Sequence, residues 1–302
     1  MARLGAWWQA ARPLAQFNIA MPLIVGQALA VATGVPFGAL ACVLVHVFGL
    51  CDHLFIVFAN DVADEAGDRL NATHTIFSGG SRVLPDGKLL PSDLRRAASV
   101  MALGMLAICA TSAFAFDRPT LLLGCGAAFV LLFAYSFPPL RLSYRGLGEL
   151  AQGLGIGAVL PAIGFVAQAG SLENLHAVQL VPLVVLGIAS NITTALPDTP
   201  ADREIGKLTW PVRVGPVSAR KHSLLVIALG VLMTPLLLPS DTSESWLFAC
   251  EAPSLAVLVV AAFTWRSADP QDRRGCGRFV FLGGLAVNLA MFAWTLALVF
   301  AT

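Results

Sequence analysis

Charge is scarce in this chain. Only 12% of its 302 residues are Asp, Glu, Lys or Arg, 57% are hydrophobic, and the mean hydropathy is +0.77. No polar stretch is long enough to fold by itself, which excludes a separate soluble domain and points to an all-α integral membrane protein, one domain over residues 1–302. Apolar segments recur to the last residues, so a cleavable leader is not expected. A net charge of +1 and dispersed basic residues give no footing for a nucleic-acid partner. The six cysteines (Cys42, Cys51, Cys109, Cys125, Cys250 and Cys276) form no C-x-x-C pair and mostly fall in apolar runs. Disulfides and zinc sites are therefore not expected, and these thiols read as small core residues.

Basic residues are also missing from one side. Apolar runs of about 20 residues, the length that crosses a ~30 Å hydrocarbon core, begin near Leu14, Pro36, Leu94, Pro119, Leu147, His176, Val217, Phe248 and Arg278, giving nine expected spans. On alternate sides of those spans the connections hold 18 of the 19 Lys and Arg residues and, opposite, Arg118 alone. The positive-inside rule then puts the N-terminus and the basic connections in the cytoplasm and the tail at Thr302 outside the membrane. Trp7, Trp8, Trp246 and Trp265 sit at span ends and suit interfacial anchoring.

Against this scarcity, the acidic clusters stand out. The second apolar run meets Asn60-Asp61-Val62-Ala63-Asp64-Glu65-Ala66-Gly67-Asp68-Arg69. If the helix continues, Asp61, Asp64 and Asp68 lie within a sector of about 60° and would repel one another without a cation. Hard oxygen ligands on one face suit Mg²⁺, which is typically shared between a few carboxylates and substrate phosphates. The sixth run ends in Asp198-Thr199-Pro200-Ala201-Asp202-Arg203, repeating the D-x-x-x-D-R of Asp64 to Arg69 four spans later. Two carboxylate pairs at equivalent helix ends fit two Mg²⁺ ions on one diphosphate. The loops that follow carry Asn71, Ser78-Gly79-Gly80-Ser81-Arg82 and Arg203, Gly206, Lys207, Thr209 and Arg213. Gly admits close backbone approach to phosphate, and Arg and Lys add donors, although basic residues also set topology in such loops.

These motifs resemble the UbiA superfamily of intramembrane prenyltransferases, whose pattern is N-D-x-x-D-x-x-x-D after the second helix and D-x-x-x-D after the sixth. The resemblance extends to Arg12-Pro13, Ser78 to Leu84, Tyr135-Ser136-x-Pro138-Pro139-Leu140-Arg141-Leu142, Gly146-Leu147-Gly148-Glu149 and the run from Asp202 to Gly215. It implies nine transmembrane helices around a central, lipid-open cavity, with cytoplasmic loops near 60–93 and 198–216 capping the substrate. It also implies Mg²⁺-dependent transfer of a polyprenyl group from its diphosphate to an aromatic, quinone-precursor acceptor. The loop segments look closest to 1,4-dihydroxy-2-naphthoate polyprenyltransferases, hence menaquinone biosynthesis in the inner membrane of a bacterium. One departure is that Thr194 and Ala195 stand where the first motif has Asn60 and Asp61. The second site is thinner.

On this reading Asn60, Asp61, Asp64, Asp68, Asp198 and Asp202 position Mg²⁺, the five aspartates as its ligands, while Arg69, Arg82, Arg203 and Lys207 hold the diphosphate. Ionising the allylic C–O bond needs stabilisation of the leaving group and no nucleophilic side chain. Tyr135 could face the carbocation or anchor the interface. Asp52 and His53, deep in the second span, are acceptor-site candidates or a polar pair satisfying itself between helices. Glu251 and Asn18 invite the same question. Gly146-x-Gly148 and the glycines from Gly153 to Gly157 lack a βαβ context and read as close helix packing. Two other functions share the motifs: a membrane terpene cyclase, and a cation transporter using the paired carboxylates.

Overall fold

A backbone in hydrocarbon must pair its own N–H and C=O groups, so long apolar runs fold as helices. The computed structural model describes residues 2–76, 78–234, 244–266 and 268–300. α1 (Ala2–Ala11) passes through a tight turn, Pro13–Gln16, into α2 (Phe17–Ala32). Then come α3 (Ala39–Ala63), the short α4 (Glu65–Leu70), α5 (Pro91–Ala115), α6 (Thr120–Ser136), α7 (Gly148–Leu154) and α8 (Leu160–Ala169). The second half holds α9 (Val181–Thr194), the short α10 (Thr199–Glu204) and α11 (Trp210–Val214), α12 (Pro216–Met233), α13 (Glu244–Thr264) and α14 (Arg273–Phe300).

Among the described residues, seven stretches are long and apolar enough to cross a membrane: Arg3–Ala32, Ala39–Ala63, Pro91–Ala115, Gly148–Ala169, Ala177–Thr194, Pro216–Met233 and Arg273–Phe300. At the other two expected positions stand shorter apolar helices, Thr120–Ser136 and Cys250–Thr264. The expected outer tail at Thr302 and the side chain of Trp246 lie outside the described residues. Trp8 is exposed, Trp7 packs edge-on against Phe58, and Trp265 lies beneath Lys221 and Arg266.

α2 lies along α8, α3 along α5, α9 along α12 and α13 along α14. Small residues set how closely these helices approach. A Cβ on Gly157 would run into the backbone of Val184, and one on Gly26 into the carbonyl of Pro161, so backbones touch where lipid gives no hydrophobic drive for association. The glycine-rich run thus serves packing, as its sequence context suggested. It also contains a π-helical turn, Gly155–Val159, between α7 and α8, a distortion that often marks functional sites.

Two helices end alike. α3 stops at Ala63, Asp64 takes φ −98° and ψ 5°, and the chain restarts as α4. α9 stops at Thr194, and Asp198 precedes α10. The continuous helix expected through Asp68 is therefore broken at Asp64. The break lets α4 pack against α10, so the two acidic motifs face each other.

Because the Gly157 contact is backbone to backbone, neither side can rotate away. Gly157→Val is expected to lower the thermal unfolding midpoint of purified protein by about 5 °C or more. Gly126, whose Cβ would meet nothing within 4 Å, is the control: Gly126→Ala should hold or raise the midpoint, since Ala favours a helix by ~1 kcal/mol over Gly.

Candidate active site

The facing helix breaks enclose a polar cavity of about 160 Å³. Its walls include Asn60, Asp61, Asp64 and Asp68 from the first motif, Asp198 and Asp202 from the second, and the cations Arg12 and Lys207. Every residue expected on the metal side of the site thus lines one space.

Each carboxylate has its own neighbours. Asp61 accepts from the Arg12 guanidinium and from the Ser81 hydroxyl, and from the Ser81 N–H at 3.2 Å. Asp64 accepts from Lys207 Nζ at 2.9 Å. Asp198 accepts from Asn71 Nδ2 at 2.7 Å and from the Gly79 N–H at 3.1 Å, and Asp202 from Thr209 Oγ1 at 3.0 Å. Asp68 lies against Gly80, where any Cβ would collide with its carboxylate. The loop after the first motif therefore clasps both motifs, its glycine backbone closing directly over the acids.

Burial and crowding disturb the acid–base balance. Burial pushes Asp68 up to about 7, with Asp64, Asp61 and Asp198 adding to the rise and Arg12 opposing it. Burial and then Asp202 raise Asp198 to about 7, against Asn71, Lys207 and the Gly79 N–H. Asp202 rises to about 6, first by burial, with Lys207 and Thr209 opposing and Asp64 and Asp68 adding. For Lys207 burial acts downward, but Asp64, Tyr135 and Asp202 outweigh it and hold the ammonium above its ordinary value. Five carboxylates against two cations leave a buried excess of negative charge. That excess, presented by hard oxygens, fits a divalent cation. Among the described residues no three acidic, His or Cys side chains form a ready-made cage. Carboxylates completed by water and ligand oxygens fit Mg²⁺ better than a closed all-protein site would.

The expected diphosphate-binding cations divide. Lys207 lines the cavity; Arg69, Arg82 and Arg203 do not. Arg69 pairs with Glu65 at 2.7 Å, Arg82 donates to the Asp68 carbonyl and lies 3.7 Å from Asp86, and Arg203 is exposed. Arg12 stands on the cavity wall where they do not. It sits at φ 44°, a left-handed bend between α1 and the following turn, and its guanidinium meets Asp61 near the end of α3. Its partnership in the motif with Pro13 was the available signal.

A second chamber of about 220 Å³ adjoins the first and shares Asn60, Tyr135 and Gln152 with it. Its other walls are mainly apolar, including Ile19, Ile56, Leu131 and Leu160, together with Asp52, His53 and Asn18. Gln152 and Asn191 escaped sequence reasoning: Asn191 Nδ2 donates to Gln152 Oε1 at 2.6 Å and to the Tyr135 hydroxyl at 3.3 Å. Thr194, at the position aligned with Asn60, donates its hydroxyl to the Ser190 carbonyl at 2.9 Å. His53 Nε2 meets the Ala11 carbonyl at 2.7 Å. Glu251 accepts from Thr234 Oγ1 at 2.9 Å, and Asn18 accepts from Asn288 Nδ2 at 3.4 Å; neither lines the polar cavity.

Comparison with known proteins gives this architecture a context. The UbiA prenyltransferase family model matches residues 19–296. The 1,4-dihydroxy-2-naphthoate octaprenyltransferase of Escherichia coli (strain K12) is 27% identical over 310 aligned residues, covering 96% of this chain and 94% of that protein. The Bacillus subtilis (strain 168) protein of the same name is 24% identical over 247 residues, covering 80% and 76%. A UbiA homologue from Archaeoglobus fulgidus, solved with DMAPP and Mg²⁺, superposes with a TM-score of 0.64 at 18% identity, over 97% of this chain and 99% of that one.

The raised carboxyl groups make a pH prediction. Asp68, Asp198 and Asp202 bind protons more tightly folded than unfolded, so the metal-free protein should lose stability as pH rises from the ordinary 3.8 towards about 7 and plateau above. Added Mg²⁺ competes with those protons and should raise the melting midpoint more at pH 8 than at pH 5.5. Thermal melts with and without Mg²⁺ at the two pH values check both signs.

Proposed function

The chain belongs to the UbiA prenyltransferase family, and on that footing we propose that it transfers a polyprenyl group from an allylic diphosphate to a hydroxylated naphthoate or similar aromatic ring. The observation that carries this reading is the junction of two chambers. A charged cavity suited to a diphosphate shares Asn60, Tyr135 and Gln152 with an adjoining, mainly apolar chamber suited to a prenyl chain and a ring. Further support comes from the names of the two bacterial relatives, both octaprenyltransferases acting on 1,4-dihydroxy-2-naphthoate. Such a product is a menaquinone precursor.

Asp61, Asp64, Asp68, Asp198 and Asp202, with Asn60, would hold Mg²⁺ against the diphosphate oxygens. The ion supplies positive charge opposite the pyrophosphate as it departs. Arg12 and Lys207 donate to the same leaving group, and both already stand on the cavity wall beside acids they can exchange for phosphate. The allylic C–O bond breaks with its electron pair leaving on pyrophosphate. A ring carbon of the acceptor then forms the new C–C bond, and the ring loses a proton. Tyr135 lies at the junction of the chambers, where its π face suits the developing cation. The apolar walls around it exclude water that would otherwise capture that cation.

For the bilayer we read the chain as one membrane domain of nine spans, counting Thr120–Ser136 and Cys250–Thr264 with the seven longer stretches. The N-terminus and the polar cavity then face the cytoplasm, the C-terminus faces outward, and the central cavity opens to lipid. The distribution of basic residues supports that orientation, and a bacterial inner membrane is the proposed location.

Purified protein with Mg²⁺, geranylgeranyl diphosphate and 1,4-dihydroxy-2-naphthoate should yield a ring heavier by one prenyl group in mass spectrometry. Absence of prenylated product across a panel of aromatic acids, or hydrocarbon formed without an acceptor, overturns the reading. Asp64→Asn and Asp198→Asn should each lower turnover by about 10²-fold or more. Arg12→Gln should cost a similar factor, and more than Arg69→Gln or Arg203→Gln, whose side chains stand off the cavity wall.

A further inference from the structure

Asp52 and His53 are adjacent, both buried, and both on the wall of the apolar chamber, yet their situations differ. The His53 ring is committed to the Ala11 carbonyl. Among the described residues nothing gives the Asp52 carboxylate a hydrogen bond or an ion pair, although it is only 2% exposed. A carboxyl group kept without a partner at membrane depth is costly, and the apolar alternatives Leu or Ile would fill its place. Its position on the chamber wall says where a partner would come from.

The other polar groups of that chamber show what kind of partner. Asn60 uses its oxygen to accept from Ser136 Oγ at 2.6 Å, and Gln152 uses its oxygen to accept from Asn191. Each is left with an amide N–H₂ to donate. The Tyr135 oxygen accepts from Asn191 and keeps its own proton for donation. The end of the chamber nearest the charged cavity therefore offers donors. Asp52, two helical turns deeper on α3 and ~12 Å along its axis from Asn60, offers acceptors, and does so whether ionised or neutral.

We infer that Asp52 is the acceptor-recognition residue of this enzyme: its carboxyl group takes a hydrogen bond from a ring hydroxyl of the aromatic substrate and so selects phenolic over alkoxylated or unsubstituted rings. The inference rests on the aromatic-acceptor reading above and adds to it the polarity of the ligand. The deep end of the ring must carry a donor, and the end facing the diphosphate an oxygen that can accept. A hydroxylated aromatic acid meets both demands. A hydrocarbon cation folding on itself meets neither.

The test compares binding of 1,4-dihydroxy-2-naphthoate and 1,4-dimethoxy-2-naphthoate to the full chain in lipid nanodiscs, measured under anaerobic conditions without diphosphate. Wild type should prefer the dihydroxy compound by at least ~10-fold, because a buried acceptor facing a methoxy group is left unpaired. Asp52→Leu should bring the two affinities within about twofold, while its melting point holds or rises, since a leucine of similar volume removes a buried unpaired group. Asp52→Asn, which keeps one acceptor oxygen, should fall between. A preference that survives Asp52→Leu, or is absent from wild type, overturns the inference. The transfer assay keeps the two ideas apart. Wild type that prenylates the dihydroxy compound while Asp52→Leu retains full preference sinks the role of Asp52 alone, whereas wild type that prenylates no aromatic sinks the acceptor reading.

Discussion

The structure is organised around a debt of charge: five carboxylates and two cations gathered at one end of an apolar helix bundle. In the low-dielectric setting of a helix bundle such a group is costly unless neighbours offset most of its members. Much of the local architecture follows from that demand. α3 and α9 break at their ends so that the acids converge. The loop between α4 and α5 folds back to deliver N–H groups and hydroxyls. Arg12 accepts an uncommon backbone conformation to reach Asp61. The partners are protein groups of the kind that polar ligands can exchange with, which is what the proposed function rests on.

The fold was legible because its signals are local and physical. Apolar length marks the helices. The acids were legible because carboxylates packed so densely beside a membrane span repel one another and need a cation to hold them together. Arg69, Arg82 and Arg203, noticed because they lie beside the acids or in the loop that follows them, do not line the cavity. Proximity along the chain says little about direction once a helix restarts after a break: Arg69 turns to Glu65, Arg82 to the Asp68 carbonyl, and Arg203 is exposed. Arg12 lies 49 positions from its partner. Gln152 and Asn191 belong to a contact between α7 and α9 that no short spacing encodes.

Helix packing and chemistry also prove to be the same problem in the second half of the chain. The glycines that bring α7 and the π-turn against α9 place Gln152 within reach of Asn191, and through Asn191 of Tyr135. A looser contact would leave the tyrosine at the junction of the two chambers without its orienting hydrogen bond. Residues that look like spacers in sequence therefore set where the π face sits.

The repeated acidic motif suggests two half-sites, each free to change by itself. The loop after the first motif removes that freedom. Asn71 and Gly79 hold Asp198, Thr73 donates to the Pro197 carbonyl at 2.6 Å, and Ser81 a few residues on holds Asp61. A segment that belongs to one half by sequence thus belongs to both by contact. A displacement of Asp198 or Pro197 is therefore transmitted to the loop that also holds Asp61. The thinner second motif borrows its donors from across the cavity, from the loop that follows the first.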